Sequence, residues 1–228
     1  MANARTRWPQ EVKAIAKAAG IDCVGFADLR GVAGIFTYPH NLIEKYPFAV
    51  SLVVSLGRYG KYDSSTEDEF AFPLIDQSSR SIRKYIAAQG FHAKVVLADK
   101  RVGRESPVYW LGEISHKAVA KTAGLGWIGK STLLVTQDFG PRVCVGTVLT
   151  DMPLPCGSPS RNRCGTCREC VQACPIGALK FCDFEDHPQD VKDCVDVISC
   201  DARVEKTHSQ GRLCFECMLA CPRGRAKR

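Results

Sequence analysis

The chain has no long apolar run. Its most hydrophobic stretch, Phe48 to Leu56, falls far short of the ~20 residues that a membrane-spanning helix needs. The opening Met-Ala-Asn-Ala-Arg-Thr-Arg-Trp holds no apolar stretch of the kind that makes an export signal. These two absences lead to the expectation of a soluble, cytoplasmic protein with no membrane partner. An acidic excess is lacking too. The 31 Lys and Arg outnumber the 24 Asp and Glu, for a net +7, a balance that suits nucleic acid or an anionic cofactor. The excess is uneven. Residues 183–201 carry seven acids and one Lys, whereas Arg223-Gly-Arg-Ala-Lys-Arg228 is basic. The acidic stretch reads as a solvated loop or a docking face for a redox partner, and the basic tail as a solvated end.

Apolar content is 45 % over 228 residues, so an ordinary core is within reach. The length suits one domain with a small appended module. Pro9 to Ala19 reads as a helix, with Pro9 in the first turn and Gly20 after the last. Ile21 to Ala27, Phe48 to Leu56 and Phe91 to Ala98 read as strands, the second one central and buried. Residues 57–75 read as a loop. Ser78 or Ser79 is placed to cap a helix to about Ala88, closed by Gly90. Ser115 is placed to cap another to about Ala123. Thr132 to Thr136 and Arg142 to Leu149 read as strands around a turn at residues 138–141. Residues 151–160 are rich in turn formers and read as a linker, which divides the chain into residues 1–155 and 156–228.

Cysteine is abundant, and most of it follows that linker. Eleven of thirteen cysteines lie in the last 73 residues. With no export signal ahead of them, that clustering reads as metal binding rather than a disulfide scaffold. Two strings stand out: Cys164-Gly-Thr-Cys167-Arg-Glu-Cys170-Val-Gln-Ala-Cys174-Pro175, and Cys214-Phe-Glu-Cys217-Met-Leu-Ala-Cys221-Pro222. The first is a full C-x2-C-x2-C-x3-C-P run and the second a shortened copy. In such runs three thiolates wrap one 4Fe-4S cluster and the fourth reaches the neighbouring cluster. Cluster one is therefore expected on Cys164, Cys167, Cys170 and Cys221. Cluster two is expected on Cys174, Cys214 and Cys217, with one ligand to find. A complete second string would carry it at position 211, which is Gly211. Of the intervening Cys182, Cys194 and Cys200, the 20-residue step to Cys214 favours Cys194, with Cys200 second. Four-cysteine zinc is the alternative. Zinc requires neither the third x2 cysteine nor the two Cys-Pro ends.

Gly124-Leu-Gly-Trp-Ile-Gly-Lys-Ser131 matches both G-x-G-x-x-G and G-x4-G-K-S. Both patterns need a strand before and a helix after. Here a helix precedes and strand-like residues follow, so dinucleotide and nucleotide triphosphate readings are weak. Two readings stay open: backbone N–H groups and a cation lying against an anionic or amide-rich ligand, or a packed corner that needs glycine.

The segment from Ala123 to Leu134, then Gly146-Thr-Val-Leu-Thr-Asp151-Met-Pro-Leu, then the double cysteine module, resembles the epoxyqueuosine reductase and reductive dehalogenase superfamily. Ala16-Lys-Ala-Ala-Gly-Ile-Asp-Cys-Val-Gly-Phe26 and Tyr46-Pro-Phe-Ala-Val50 resemble that family's opening. The resemblance implies an α+β fold: a nitroreductase-like N-terminal domain holding base-off cobalamin, followed by a bacterial-ferredoxin-like module with two 4Fe-4S clusters that reduce the corrinoid to Co(I). It places Gly124, Leu125, Gly126, Trp127, Ile128, Gly129, Lys130 and Ser131 at the cobalamin. Flavin is the lesser alternative, since a nitroreductase-like fold suits it. The family's catalytic Asp would fall near Trp110, where this chain has none. The helical repeats that help hold tRNA in that family do not follow Cys221. Both departures make tRNA an unexpected partner. Tyr109, His116 and Lys117 are the nearest candidates to supply a proton.

Two functions follow from that resemblance. One is a cobalamin-dependent reductase of a small substrate, fed by a low-potential donor such as ferredoxin or flavodoxin. The other is an electron-transfer or reactivation protein serving a partner's corrinoid or flavin. A bare ferredoxin would not need so long an N-terminal part.

Overall fold

A computed structural model describes residues 2–32, 34–59, 70–97, 112–182, 193–210 and 214–224. Four strands form one antiparallel sheet: β1 (Cys23–Asp28), β2 (Phe48–Ser55), β3 (Ala93–Val96) and β6 (Val143–Thr150), in the order β1-β2-β6-β3. Strand β2 alternates its side chains between two apolar layers. Val50, Leu52 and Val54 meet Val12 and Ala16 of α1 (Ala2–Ala18) and Ile75, Ile82 and Ile86 of α3 (Phe72–Ala88). Ala49 and Val53 face the other way, in the layers of Val119 and Ala120 from α4 (His116–Thr122). With both faces covered, the strand reads as a near-continuous apolar run. Each such side chain contributes roughly 1.5–3 kcal/mol by burial. A charge at Val50 would have to enter a layer with no water.

Helix α3 starts before the expected cap. Pro73 lies in its first turn, and Ser78 and Ser79 are buried within the helix rather than capping it. Ile75 extends the stripe of Ile82 and Ile86 by two turns, and packing along that stripe sets the start. Helix α1 likewise begins before Pro9, which lies inside it at the cost of one helical hydrogen bond. Ser115 does cap α4, its Oγ accepting from the Ala118 N–H at 3.3 Å. After α4, β4 (Trp127–Ile128) pairs with β5 (Leu134–Val135). The strand expected over 132–136 thus joins this small hairpin. Its expected partner, β6, lies in the main sheet instead. The turn between them closes through reciprocal Thr136 and Gly140 backbone bonds.

The segment after β6 lacks regular elements yet packs along the domain. Met152 and Leu154 are buried. The Gly157 N–H donates to the Phe26 carbonyl at 2.9 Å, and Ser160 Oγ donates to the Gly124 carbonyl at 3.3 Å. The cysteine-rich part then folds as α5 (Glu169–Gln172), α6 (Val197–His208) and α7 (Glu216–Ala220). Its own apolar centre is small: Ala178, Leu179 and Val195, with Leu179 bridging to Val195. Phe215 and Met218 join the main core. Beyond α7 the chain crosses the β5–β6 turn, backbone to backbone. A Cβ on Gly140 would lie 2.0 Å from the Arg223 carbonyl oxygen, and one on Gly224 would lie 2.0 Å from the Phe139 carbonyl carbon. Only glycine fits either place. No helix among the described residues is long and apolar enough to cross a membrane.

Candidate metal centre

Helices α5 and α7 pack together and carry equivalent cysteines, Cys170 and Cys217. The fields around these two thiols define two neighbourhoods. The Cys170 thiol is pushed up to about 11, first by burial and then by Cys164, Cys221 and Cys167. Burial pushes Cys217 up to about 12, reinforced by Cys200, Cys214, Cys170 and Cys174. Cys200 is raised by burial and then by Cys214 and Cys174. One group is therefore Cys164, Cys167, Cys170 and Cys221. The other is Cys174, Cys200, Cys214 and Cys217. The last cysteine of each string stands with the other string. Among the described residues no three of these side chains close into a ready chelate.

Cys194, expected to complete the second group, lies elsewhere. It is fully buried and forms a disulfide with Cys182, with Cα atoms 5.3 Å apart. Cys200, the second choice, packs with Cys174 and Cys217 around the same small apolar centre. Asp196 caps α6 by accepting from the Ser199 N–H at 3.1 Å, and the Cys200 N–H bonds the Asp196 carbonyl. The cap thus sets Cys200 in the first turn of α6, among Ala178, Leu179, Cys174 and Cys217.

Donors surround the sulfurs. Burial acts upward on Cys174, yet the N–H groups of Ile176, Leu179, Ala178 and Gly177 together bring its pKa below the usual thiol value. The Ala178 N–H reaches its Sγ at 3.2 Å. Trp127 Nε1–H donates to Cys164 Sγ at 3.4 Å. Lys130 is buried and donates to the carbonyls of Gly165 and, at 3.2 Å, Cys167. The Arg142 guanidinium, also buried, donates to the Met218 and Cys221 carbonyls at 3.3 Å and to that of Arg223 at 3.1 Å. A thiolate-rich donor set, N–H groups at sulfur and buried cations beside it fit an anionic iron–sulfur cluster. Sequence reasoning missed Arg142. Its one signal was a lone charge leading into an apolar strand.

The Gly124–Ser131 segment is not an open cradle. Six of its eight residues, Gly126 to Ser131, are buried; Gly124 is exposed and Leu125 half-buried. A Cβ on Gly126 would meet the Val135 carbonyl oxygen at 2.4 Å, and one on Gly129 would meet Val135 Cγ2 at 2.8 Å. The glycines are there because β5 lies against them, and the segment joins the sheet domain to the first cysteine string.

His116 is half-buried against the sheet. Its Nδ1 pairs with Thr147 Oγ1 at 2.8 Å and its Nε2 with the Leu97 carbonyl at 3.4 Å. Burial lowers its pKa to about 4. Both ring nitrogens of the neutral ring thus have partners within the fold. Lys117 is half-buried as well, donating to the Thr132 carbonyl at 2.7 Å. Burial lowers its pKa, opposed by the charges of Cys200 and Cys217, so it faces the second cysteine group. Tyr109 lies outside the described residues, as does most of the acidic stretch.

No family model matches the chain. An epoxyqueuosine reductase of Vibrio cholerae is 30 % identical over 171 residues, covering 68 % of this chain and 45 % of that protein. The chain spans less than half the length of this curated relative. Among solved structures, an epoxyqueuosine reductase with a tRNA-Tyr epoxyqueuosine-modified tRNA stem loop superposes with a TM-score of 0.68 at 17 % identity, covering 97 % of this chain and 66 % of that one. A reductive dehalogenase described as performing B12-dependent dehalogenation superposes at 0.69 and 22 % identity, covering 95 % of this chain and 31 % of that one.

The fold is thus the α+β fold shared by these two kinds of reductase. The resemblance to the epoxyqueuosine reductase and reductive dehalogenase superfamily holds, in sequence toward the first and in fold toward both. Two expectations change with it. Setting tRNA aside finds no support among these relatives, since an epoxyqueuosine reductase of this fold is solved with a tRNA stem loop. Flavin finds no support among these relatives.

Proposed function

We propose that this chain carries two 4Fe-4S clusters with crossed ligation and passes electrons through them to a reduction at the N-terminal domain. The crossing carries the reading: α5 and α7 pack together, Cys174 and Cys200 share a small apolar centre with Cys217, and Cys164 and Cys167 act on the Cys221 thiol. Cys200 is the fourth ligand of the second cluster. The N-terminal part is a nitroreductase-like domain, the C-terminal part a ferredoxin-like module, and a low-potential carrier such as ferredoxin or flavodoxin is the donor. A cobalamin, when bound, supplies a strongly reducing centre for the substrate. The chain's own residues do the holding: Lys130 and Arg142 pin the two cysteine loops, and the β4–β5 hairpin fixes them against the sheet.

The reduced substrate belongs to the range that the relatives span, from a small organic molecule to a modified nucleoside in tRNA. A second reading rests on one observation, the burial of Gly126 to Ser131. With no open cradle in that segment, the chain would deliver electrons to a corrinoid on a partner protein.

Anaerobic purification with iron and sulfide analysis tests the first claim. About eight iron atoms per chain are expected; a colourless protein holding only zinc overturns it. Titration with cobalamin, followed by tryptophan fluorescence, separates the two readings. Saturable quenching supports a resident cobalamin. No binding at tens of micromolar, about 6–7 kcal/mol, leaves the partner reading.

A further inference from the structure

The two cysteine groups are not equivalent in what the N-terminal domain offers them. The first receives a hydrogen bond to sulfur, from Trp127 Nε1–H to Cys164 Sγ at 3.4 Å. It also receives a buried charge. Lys130 is 1 % exposed, and its ammonium donates to the Gly165 and Cys167 carbonyls inside the Cys164–Cys170 loop. The Phe181 ring lies over that ammonium, 4.3 Å from Nζ to the centroid. Trp127 is itself 2 % exposed, with Arg163 and Arg223 stationed near its ring at 6.0 and 5.9 Å. The second group is served differently. Cys174 takes its N–H donors from the backbone that follows it in the module. On the N-terminal side, half-buried Lys117 donates to the Thr132 carbonyl at 2.7 Å.

Each effect at the first group has a sign. Reduction of a 4Fe-4S cluster adds one negative charge. A fixed positive charge in a site of low dielectric favours the state that carries it. A hydrogen bond to a ligand sulfur draws negative charge off the cluster and acts in the same direction. Both contacts come from one short hairpin, β4 and β5 with the loop between them, and both fall on the Cys164–Cys170 loop. We propose that Lys130 and Trp127 set the reduction potential of the first cluster and hold it above that of the second. The proposal rests on the two-cluster reading and goes beyond it, assigning an order of potentials and the residues that cause it.

An EPR-monitored redox titration of the anaerobic full chain, with iron quantified in every sample, tests it. Two one-electron midpoints are expected in the wild type. Lys130→Gln keeps a donor for the loop carbonyls and removes the charge. It should lower the reduced-to-oxidised ratio of the higher-potential cluster about tenfold at fixed poise, or 59 mV for one electron. Lys130→Arg should restore most of that ratio. Trp127→Phe deletes the N–H at Cys164 and should lower the same midpoint by about threefold in the ratio.

A shift of the lower midpoint, of both equally, or of neither overturns the proposal. So does a Lys130→Arg protein that behaves like Lys130→Gln, because the role would then be structural. Should Lys130→Gln be recovered without iron, Trp127→Phe decides alone, and an unmoved higher midpoint overturns the proposal. A wild type without iron removes the cluster reading as well; iron with unmoved midpoints removes only this proposal.

Discussion

The sheet domain and the cysteine module hold their chain in place by different means. In the sheet domain, β2 is buried on both faces between α1 and α3 on one side and α4 on the other. In the module, the local apolar centre is three residues, and Ile176, Phe181, Ile198 and Leu219 remain exposed. What fixes the module is its attachment. Phe215 and Met218 enter the main core, and Lys130 and Arg142 reach across to its carbonyls. Segments this poor in apolar burial need a metal or a covalent link to be stable. The sheet domain can thus fold by burial alone, whereas the module depends on its neighbour and, on the two-cluster reading, on its ligands.

That contrast is open to direct attack. The largest effect should come from iron removal. Chelation of the anaerobic protein should speed amide exchange in α5, α6 and α7 about a hundredfold and leave β1, β2 and β6 protected. Equal loss of protection in the sheet would break the comparison. Within the module, Cys200→Ser should drop iron from about eight to about four atoms per chain, while Cys194→Ser keeps the full content. The reverse result would give the fourth ligand back to Cys194.

A smaller effect belongs to the sheet domain alone. The folded pKa of His116, about 4, lies below its ordinary value of 6.5. Above pH 6.5 the ring is neutral in both states. As pH falls below 6.5 the unfolded chain takes up the proton first, so stability falls down to about pH 4, by about 3 kcal/mol. Urea unfolding across that range, compared with His116→Gln, should show a flatter profile in the variant.

What the sequence disclosed follows the reach of each interaction. The two cysteine strings and the cap at Ser115 are local patterns, and both are legible in a few residues. The apolar run of β2 announces a buried strand whatever covers it. The Gly124–Ser131 segment is legible only as a need for glycine. The reason for that need, Val135 against Gly126 and Gly129, lies in a hairpin partner that spacing does not name. The place of Cys200 is not legible either, because distance along the chain says nothing of the turn that Asp196 starts. Arg142 was invisible for a similar reason: its acceptors lie some eighty residues on, at Met218, Cys221 and Arg223.

The crossing of Gly140 and Gly224 has a consequence for how the protein is made. The first cysteine group draws three members from one string and Cys221 from the other, and the backbone just past Cys221 locks against a turn laid down much earlier. A ribosome delivers these parts in order. The sheet can settle while the second string is still unmade, but no arrangement of the first three thiolates is complete until residue 221 has emerged. On the two-cluster reading, the first cluster gains its last ligand only once residue 221 has emerged, and Gly224 closes behind it.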